Sequence, residues 1–324
     1  MGKKLKIAII RLSALGDIIQ TSIALQFIKK NVANAQIHWV CDEKFAAILE
    51  NLPELDGIIK IPLKDKKIIK SYQILKEFSD KFDAILDFQG LIKSAIVARI
   101  LGKNVFGYDK FSLRESFAAN FYKHKISCDY GENTVIRYLT LASVALGFKF
   151  DKDEILNKQK CFVASNLDFD FKDGKKVLIA PFASEESKCY DKFTRVINEL
   201  NAEQIYICHG NESERQKAQS IAQGTKAVVL PNLNIAQMIN LVENMDLVIG
   251  NDSAIAHLAW AQNRASITLF GNRPSNRNAY ETPKNLLIDT GKKIDPKKID
   301  KNDFCINEIS PELIILKANE LLNG

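Results

Sequence analysis

The sequence predicts an α/β protein built from two parallel, doubly wound sheets, and three observations carry that prediction. Apolar runs of strand length alternate with stretches whose apolar residues recur about every 3.6 positions, the pattern of strands separated by amphipathic helices. The alternation stops in a polar zone near the middle of the chain and then starts again. At 324 residues, 46% hydrophobic and 26% charged, the chain has ordinary globular composition and the length for two cores.

Taken in order, residues 5–11 form the first strand, because Ile7-Ala8-Ile9-Ile10 is continuously apolar, as in a strand buried on both faces. Further strands are expected at 36–41, 57–61, 83–88 and 104–107, with helices at 17–31, 43–51, 66–80 and 90–101 between them. A helix at 132–147 stops at Gly147. Residues 148–175 are polar and charged and read as a linker, ending in the turn Lys172-Asp173-Gly174-Lys175-Lys176. The second half repeats the theme, with strands at 177–181, 204–208, 226–230, 246–249 and 266–270 and helices at 191–201, 211–223, 234–244 and 253–263. A last helix covers 311–322. The expected division is 1–165 and 166–324, two Rossmann-like domains facing each other across a cleft, with ligands at the carboxyl ends of both sheets.

Composition removes several functions. No stretch approaches the ~20 apolar residues of a membrane span, and Met1 to Lys6 lead straight into a strand with no signal-peptide core. A cytoplasmic location is expected. The six cysteines include no C-x-x-C pair and the four histidines no H-E-x-x-H, so neither a disulfide framework nor a metal site is expected. The net charge of +6 is unevenly spread, with Lys64, Lys66, Lys67 and Lys70 in one cluster and Lys103, Lys110, Arg114, Lys123 and Lys125 in another. Such clusters are either solvated faces or collectors of an anionic partner. They lack the aromatic interleaving of a nucleic-acid surface, and nucleic acid is not an expected partner. Nothing demands more than a monomer.

Four loops carry chemistry. The first strand runs into Arg11-Leu12-Ser13-Ala14-Leu15-Gly16-Asp17, with one glycine and therefore neither a dinucleotide fingerprint nor a P-loop. Asp17 is either a helix cap or a general base at the rim of the crevice. After the strand ending in Gly250, Asp252 and Ser253 open a helix, as plain caps or as a diphosphate site, and His257 shares a helix face with Ser253 as a core residue or a ligand contact. After the strands at 177–181 and 204–208 come Lys188, a surface lysine or a phosphate partner, and an acidic first turn at 212–214 that either caps its helix or holds a ribose diol.

Together these segments resemble the glycosyltransferase family 9 heptosyltransferases of the lipopolysaccharide inner core. The likeness rests on Arg11 to Ile18, on Asp87-Phe88-Gln89-Gly90-Leu91-Ile92-Lys93-Ser94-Ala95, and on Asn251-Asp252-Ser253-Ala254-Ile255-Ala256-His257. The middle motif, with Leu113 to Ser116 and Val135 to Arg137, is similar to the heptosyltransferase I branch more than to heptosyltransferase II. The resemblance implies an inverting, metal-independent GT-B enzyme without a cofactor. It would move L-glycero-D-manno-heptose from ADP-heptose to the Kdo of Kdo2-lipid A, as a peripheral protein on the cytoplasmic face of the inner membrane. By that resemblance Asp17 is the general base. Ser184, Lys188, Glu214, Asp252, Ser253, Ala254 and His257 hold the donor, and Lys93, Arg114 and Arg137 face the acceptor. An amphipathic patch from Phe111 to Tyr122 is the expected membrane contact. Ala254 stands where the family usually has glycine, and Ser187-Lys188-Cys189-Tyr190 departs from the usual lysine motif, with Tyr190 as the candidate aromatic. The rival readings are heptosyltransferase II or III acting on a heptosylated acceptor, and a sugar-nucleotide epimerase on the same scaffold.

Overall fold

Ile7, Ala8, Ile9 and Ile10 are wholly shielded from solvent, as an apolar run must be when both faces of its strand are covered. In the computed structural model, which describes residues 4–63, 65–164 and 171–324, this run is the middle of β1 (Leu5–Ile10). The chain divides into two compact units, Met1–Val163 and Ala164–Gly324. Lys64 lies outside the described residues.

The first unit continues through α1 (Leu15–Thr21), α2 (Ile23–Asn31), β2 (Ala35–Asp42), α3 (Ala46–Leu49), β3 (Gly57–Ile61), α4 (Ile68–Glu77), β4 (Ala84–Asp87), α5 (Ile92–Leu101), β5 (Val105–Tyr108), β6 (His124–Ile126), α6 (Thr134–Leu146) and α7 (Lys152–Leu156). Its six strands are ordered β3-β2-β1-β4-β5-β6, with parallel pairings. Chain order reverses between β1 and β4, so the loops after those two strands sit at the topological switch point, where open α/β sheets bind ligands.

The second unit has β7 (Lys176–Ala180), α8 (Phe193–Glu199), β8 (Gln204–Ile207), α9 (Glu212–Ala222), β9 (Val228–Val229), α10 (Ile235–Glu243), β10 (Leu247–Asn251), α11 (Ala254–Ala261), β11 (Ala265–Phe270), α12 (Ser275–Asn278), β12 (Asn285–Asp289) and α13 (Pro311–Asn323). Its order, β12-β11-β10-β7-β8-β9, is the same wiring read from the other side, and its switch point lies between β7 and β10. Gly250 permits the close contact of those strands, since a Cβ there would stand 2.7 Å from the Ala180 carbonyl oxygen.

Several elements differ from expectation for physical reasons. The helix expected over 17–31 breaks at Ser22. The Thr21 and Ser22 hydroxyls donate to the carbonyls of Asp17 and Ile19, both at 2.7 Å, and such back-bonding bends helices. The zone expected as a linker is packed structure up to Val163: Asp151 caps α7, Ile155, Cys161 and Phe162 are buried, and Gln26 Nε2 on α2 donates to the carbonyls of Gln159 and Lys160. Residues 165–170 of that zone lie outside the described residues. The edge strands β6 and β12 were not expected. Each pairs on one side only, so neither needs the long apolar run that marks an inner strand.

Candidate active site

At the switch point of the first unit, β1 ends in Arg11, a buried guanidinium fixed on three sides. Its Nη1 donates to the Phe88 carbonyl at 3.1 Å, its Nη2 meets Asp17 Oδ1 at 2.6 Å, and its plane lies over the Tyr138 ring. Asp17 is the third residue of α1, and its Oδ2 accepts the Ala14 N–H at 3.0 Å. It therefore does cap the helix, reaching back across the first turn. The cap leaves the carboxylate accessible all the same, with its side chain 44% exposed. The cap reading holds, and it leaves the carboxylate open to solvent.

The loop after β4 holds this arrangement. Gln89 Oε1 accepts the Leu12 N–H at 2.8 Å, tying the β1 loop to the β4 loop. Asp87, fully buried, accepts four hydrogen bonds among the described residues: from the N–H groups of Gln89 and Gly90 at 2.9 and 3.1 Å, from Ser94 Oγ at 2.8 Å and from the Tyr122 hydroxyl at 2.7 Å. Burial still dominates and pushes the Asp87 carboxyl above its ordinary range. Gly90 is required here: its φ is +66°, and a Cβ would stand 2.6 Å from Leu113 Cδ2.

Of the residues expected to face the acceptor, Lys93 and Arg114 are exposed, near the start of α5 and in the loop after β5. Arg137 is not so placed. It is 5% exposed and donates to the carbonyls of Ser112, Cys128 and Asp129, with its guanidinium 4.3 Å from the Tyr108 ring centre. Its donors hold loops, so it supports the site from behind rather than meeting an anion. Tyr122, at one end of the expected membrane patch, is likewise buried and spent on Asp87.

The switch point of the second unit gathers the other constellation. Asn251, buried at the end of β10, donates from Nδ2 to the Pro181 carbonyl at 2.7 Å and accepts the Tyr190 N–H at 3.2 Å, joining the β10 and β7 loops. That linkage brings Lys188 to Asp252, with Nζ 2.6 Å from Oδ2 and 3.4 Å from the Asp252 carbonyl. His257 Nε2 lies 3.1 Å from Asp252 Oδ1. Burial opposes the charge on Asp252, but the Lys188 ammonium and the His257 hydrogen bond outweigh it and hold the carboxyl well below the usual carboxylate range. The Asp252 carboxylate is thus turned to a cation and an imidazole. Both of its oxygens are thereby engaged, and it positions those two groups. His257 is buried, as a core histidine would be, and touches the site as well.

Ser253 is the residue before α11, yet it makes no side-chain capping bond. Its Oγ is buried without a hydrogen-bond partner among the described residues. Ala254 follows as the first helical residue, and the first N–H groups of a helix have no partner within it. Glu214 is the third residue of α9, and its Oε2 accepts the Gly210 N–H at 2.7 Å, so it serves its own helix as the acidic first turn suggested. Ser184 is exposed in the loop after β7. Tyr190 is a core residue, its hydroxyl donating to the Ile309 carbonyl at 3.0 Å and its ring edge-on to Phe193. Behind the loop, Glu185 pairs with Arg273 at 2.7 Å and Lys301 at 3.1 Å, and Asn272 Nδ2 donates to Ser187 Oγ at 3.0 Å. Among the described residues, no cluster of three or more His, Cys, Asp or Glu has the arrangement of a metal site.

Two units each bring charged loops to a switch point, and family comparison says whose loops they are. Residues 72–302 match glycosyltransferase family 9 (heptosyltransferase). The chain belongs to that family. A curated relative, the lipopolysaccharide heptosyltransferase 1 of Campylobacter coli, is 44% identical over 339 residues, covering 98% of this chain and 99% of its own. The lipopolysaccharide heptosyltransferase 1 of Pseudomonas aeruginosa is 27% identical over 293 residues, 84% of this chain and 79% of its own. Among solved structures, E. coli heptosyltransferase WaaC with ADP aligns at a TM-score of 0.76 and 19% identity, over 98% of this chain and 99% of that one. That likeness is one of fold, and the fold is GT-B. This family 9 chain is a glycosyltransferase.

Residues that the sequence reading left without a role are Arg11, Asp87, Gln89, Asn251 and Asn272. Arg11, Asp87 and Asn251 shared one signal: each is a polar residue set directly after a run of strand apolar residues. Such a residue has to find its partners in the next loop.

Proposed function

We propose that this chain transfers L-glycero-D-manno-heptose from ADP-heptose to the Kdo of Kdo2-lipid A. The observation that carries the proposal is the pair of switch points, one holding an accessible carboxylate and the other a partly buried lysine paired with Asp252, the residue before an unpartnered hydroxyl at a helix start. Both curated relatives described above bear the name heptosyltransferase 1, which supports the first-acceptor reading over heptosyltransferase II or III. Family membership disfavours an epimerase.

In this reading the displacement has two parts, removal of the acceptor proton and departure of ADP. The acceptor hydroxyl gives its proton to Asp17 as its oxygen attacks the anomeric carbon, and the bond from that carbon to the diphosphate breaks on the opposite face, inverting the centre. Arg11 keeps the Asp17 carboxylate aimed. ADP departs with growing negative charge. An ammonium has three donors, and Lys188 gives Asp252 those it needs while keeping one for the diphosphate. Ser253 Oγ and the first N–H groups of α11 supply the rest. Glu214 has a second carboxylate oxygen for the ribose, Ser184 lies in the donor loop, and Lys93 and Arg114 meet the acid groups of the acceptor. Lipid A is membrane-anchored, so the enzyme works at the cytoplasmic face of the inner membrane as a peripheral protein. No helix among the described residues is long and apolar enough to cross a membrane.

The test is mass spectrometry of the purified protein with ADP-heptose and Kdo2-lipid A, with and without EDTA, beside Asp17→Asn. The expected result is one added heptose, unaffected by EDTA. In the variant, transfer falls by about 100-fold or more, the usual worth of a general base, while ADP binding persists. Transfer only to an already heptosylated acceptor would reassign the chain to a later step, and full activity in the variant would remove Asp17 from the chemistry.

A further inference from the structure

Helix α4 turns an apolar face to solvent. Ile68 is 68% exposed, Ile69 76% and Tyr72 46%, and the helical repeat sets Tyr72 one turn below the two isoleucines. The adjoining stripe is tied to the unit through buried Ser71 and Leu75, while Ile68 and Ile69 sit in the first turn. Grouped apolar side chains at that exposure mark an interaction surface. Lysines surround them: Lys66, Lys67 and Lys70 are exposed, and the Lys76 ammonium stands 5.8 Å from the centre of the Tyr72 ring. Asp65, the acid that interrupts this series, pairs with Lys67 at 3.4 Å.

We propose that this face of α4 docks on an anionic lipid bilayer, the isoleucines entering the headgroup boundary and the lysines meeting lipid phosphates. The proposal rests on the lipid acceptor argued above and names the surface by which the enzyme reaches it. Long lysine stems lie along apolar surface while their ammonium groups stay in the polar layer, so the two residue types suit one interface. Charge selects the partner. A symmetric pairing of two copies through this face would set Lys66, Lys67 and Lys70 against their own counterparts, whereas anionic lipid attracts each of them.

Position gives the docking its use. α4 follows β3, so its first turn lies at the carboxyl edge of the sheet, the edge that carries Asp17 after β1. β3 and β1 are two strands apart, about 10 Å at ordinary strand spacing. Docking there brings the Asp17 loop to the membrane plane. The alternative surface, Phe111 at 74% exposure, is flanked by Lys110 and Arg114 but also by Asp109 and Glu115. Phe117, 60% exposed, and Lys123 extend that surface, but its acids stand between its cations, so it selects anionic lipid less strongly than α4.

Flotation of the full chain with phosphatidylcholine vesicles, with and without phosphatidylglycerol, tests the proposal. Binding is expected on the anionic vesicles and weakly on the neutral ones. Ile68→Glu with Ile69→Glu lowers partition about 100-fold, about tenfold for each large apolar side chain removed from the boundary. Replacing Lys66, Lys67 and Lys70 with Gln lowers it about fivefold per lysine and flattens the salt dependence. Leu316→Glu, at an exposed apolar position on α13, leaves it unchanged. Thermal unfolding shows that the variants fold. Vesicle binding that survives the isoleucine pair overturns the inference, as does a wild-type dimer, seen by light scattering, that the same pair converts to monomer. Transfer to a deacylated, water-soluble acceptor separates this from the functional reading. The isoleucine variant keeps that transfer if only docking is lost, and a wild type that transfers to no acceptor fails the functional reading whatever the vesicles show.

Discussion

Asp87 gives the sharpest stability prediction, because its two oxygens and four donors can be followed one by one. In Asp87→Ala the Ser94 hydroxyl still has the Leu91 carbonyl at 2.9 Å. The Gln89 and Gly90 N–H groups and the Tyr122 hydroxyl lose their acceptor. A buried donor left unsatisfied costs roughly 1–3 kcal/mol. Gly90 and Tyr122 are buried, while the Gln89 N–H is only partly so and reaches water. The sum is about 4 kcal/mol, or about 10 °C in the melting temperature of a unit of this size. Asp87→Asn keeps an oxygen for the two N–H groups but sets an amide NH2 where Oδ2 stood, so the Ser94 and Tyr122 hydroxyls lose their acceptor and must turn to accept instead, at a cost of about 1–3 kcal/mol. Because Gln89 also fixes Leu12, transfer should fall in the alanine variant beyond what unfolding explains, while affinity for ADP stays unchanged in the second unit. Calorimetric melting with ADP titration checks both. An alanine variant that melts like wild type, or one that loses ADP affinity as fast as transfer, would refute the reasoning.

Other outcomes follow from the second unit. Ser253→Ala should leave the melting temperature unchanged, since no capping bond exists to lose, yet weaken ADP binding several-fold; a loss of about 1 kcal/mol in stability with normal affinity would instead make Ser253 an ordinary cap. Asp252 is held below its unfolded range, so its contribution to stability is complete above about pH 4 and fades as pH falls toward the depressed folded value. Asp252→Asn should therefore be less stable at neutral pH by roughly 3 kcal/mol and lose that acid limb in pH-dependent denaturation. Gly250→Ala should cost about 1–3 kcal/mol, because its Cβ meets the Ala180 carbonyl at 2.7 Å; an unchanged urea midpoint would show that β7 and β10 can part without loss.

The inner strands were legible in the sequence because a parallel strand covered on both faces has to be apolar throughout, as Ile7 to Ile10 and Leu247 to Ile249 are. Of the four edge strands β3 and β9 were legible too, while β6 and β12 were not, since each is only partly buried and lacks a long apolar run. The break at Ser22 was hidden because serine and threonine within an apolar helix look harmless until their hydroxyls turn back on the preceding carbonyls. At the site, the positions of Asp17, Lys188 and Ser253 in loops after strands were readable from the apolar runs that precede them. Arg137 was misread because a cation in an acceptor motif looks free in sequence, whereas the carbonyls that claim it come from residues 112, 128 and 129. The exposed face of α4 was seen only as a lysine cluster, because whether Ile68 and Ile69 point inward depends on which side of the helix Leu75 chooses.

The sheet order has a consequence for how the chain is made. β1 is bordered by β2 and β4, and β4 begins at Ala84. A nascent chain therefore carries its most apolar strand with one edge open until some eighty residues have followed the start. The second unit repeats the problem, since β7 waits for β10, which begins at Leu247. During synthesis each unit passes through an interval in which a largely apolar strand can pair with the wrong neighbour, so dependence on chaperones should concentrate in those two intervals rather than after release from the ribosome.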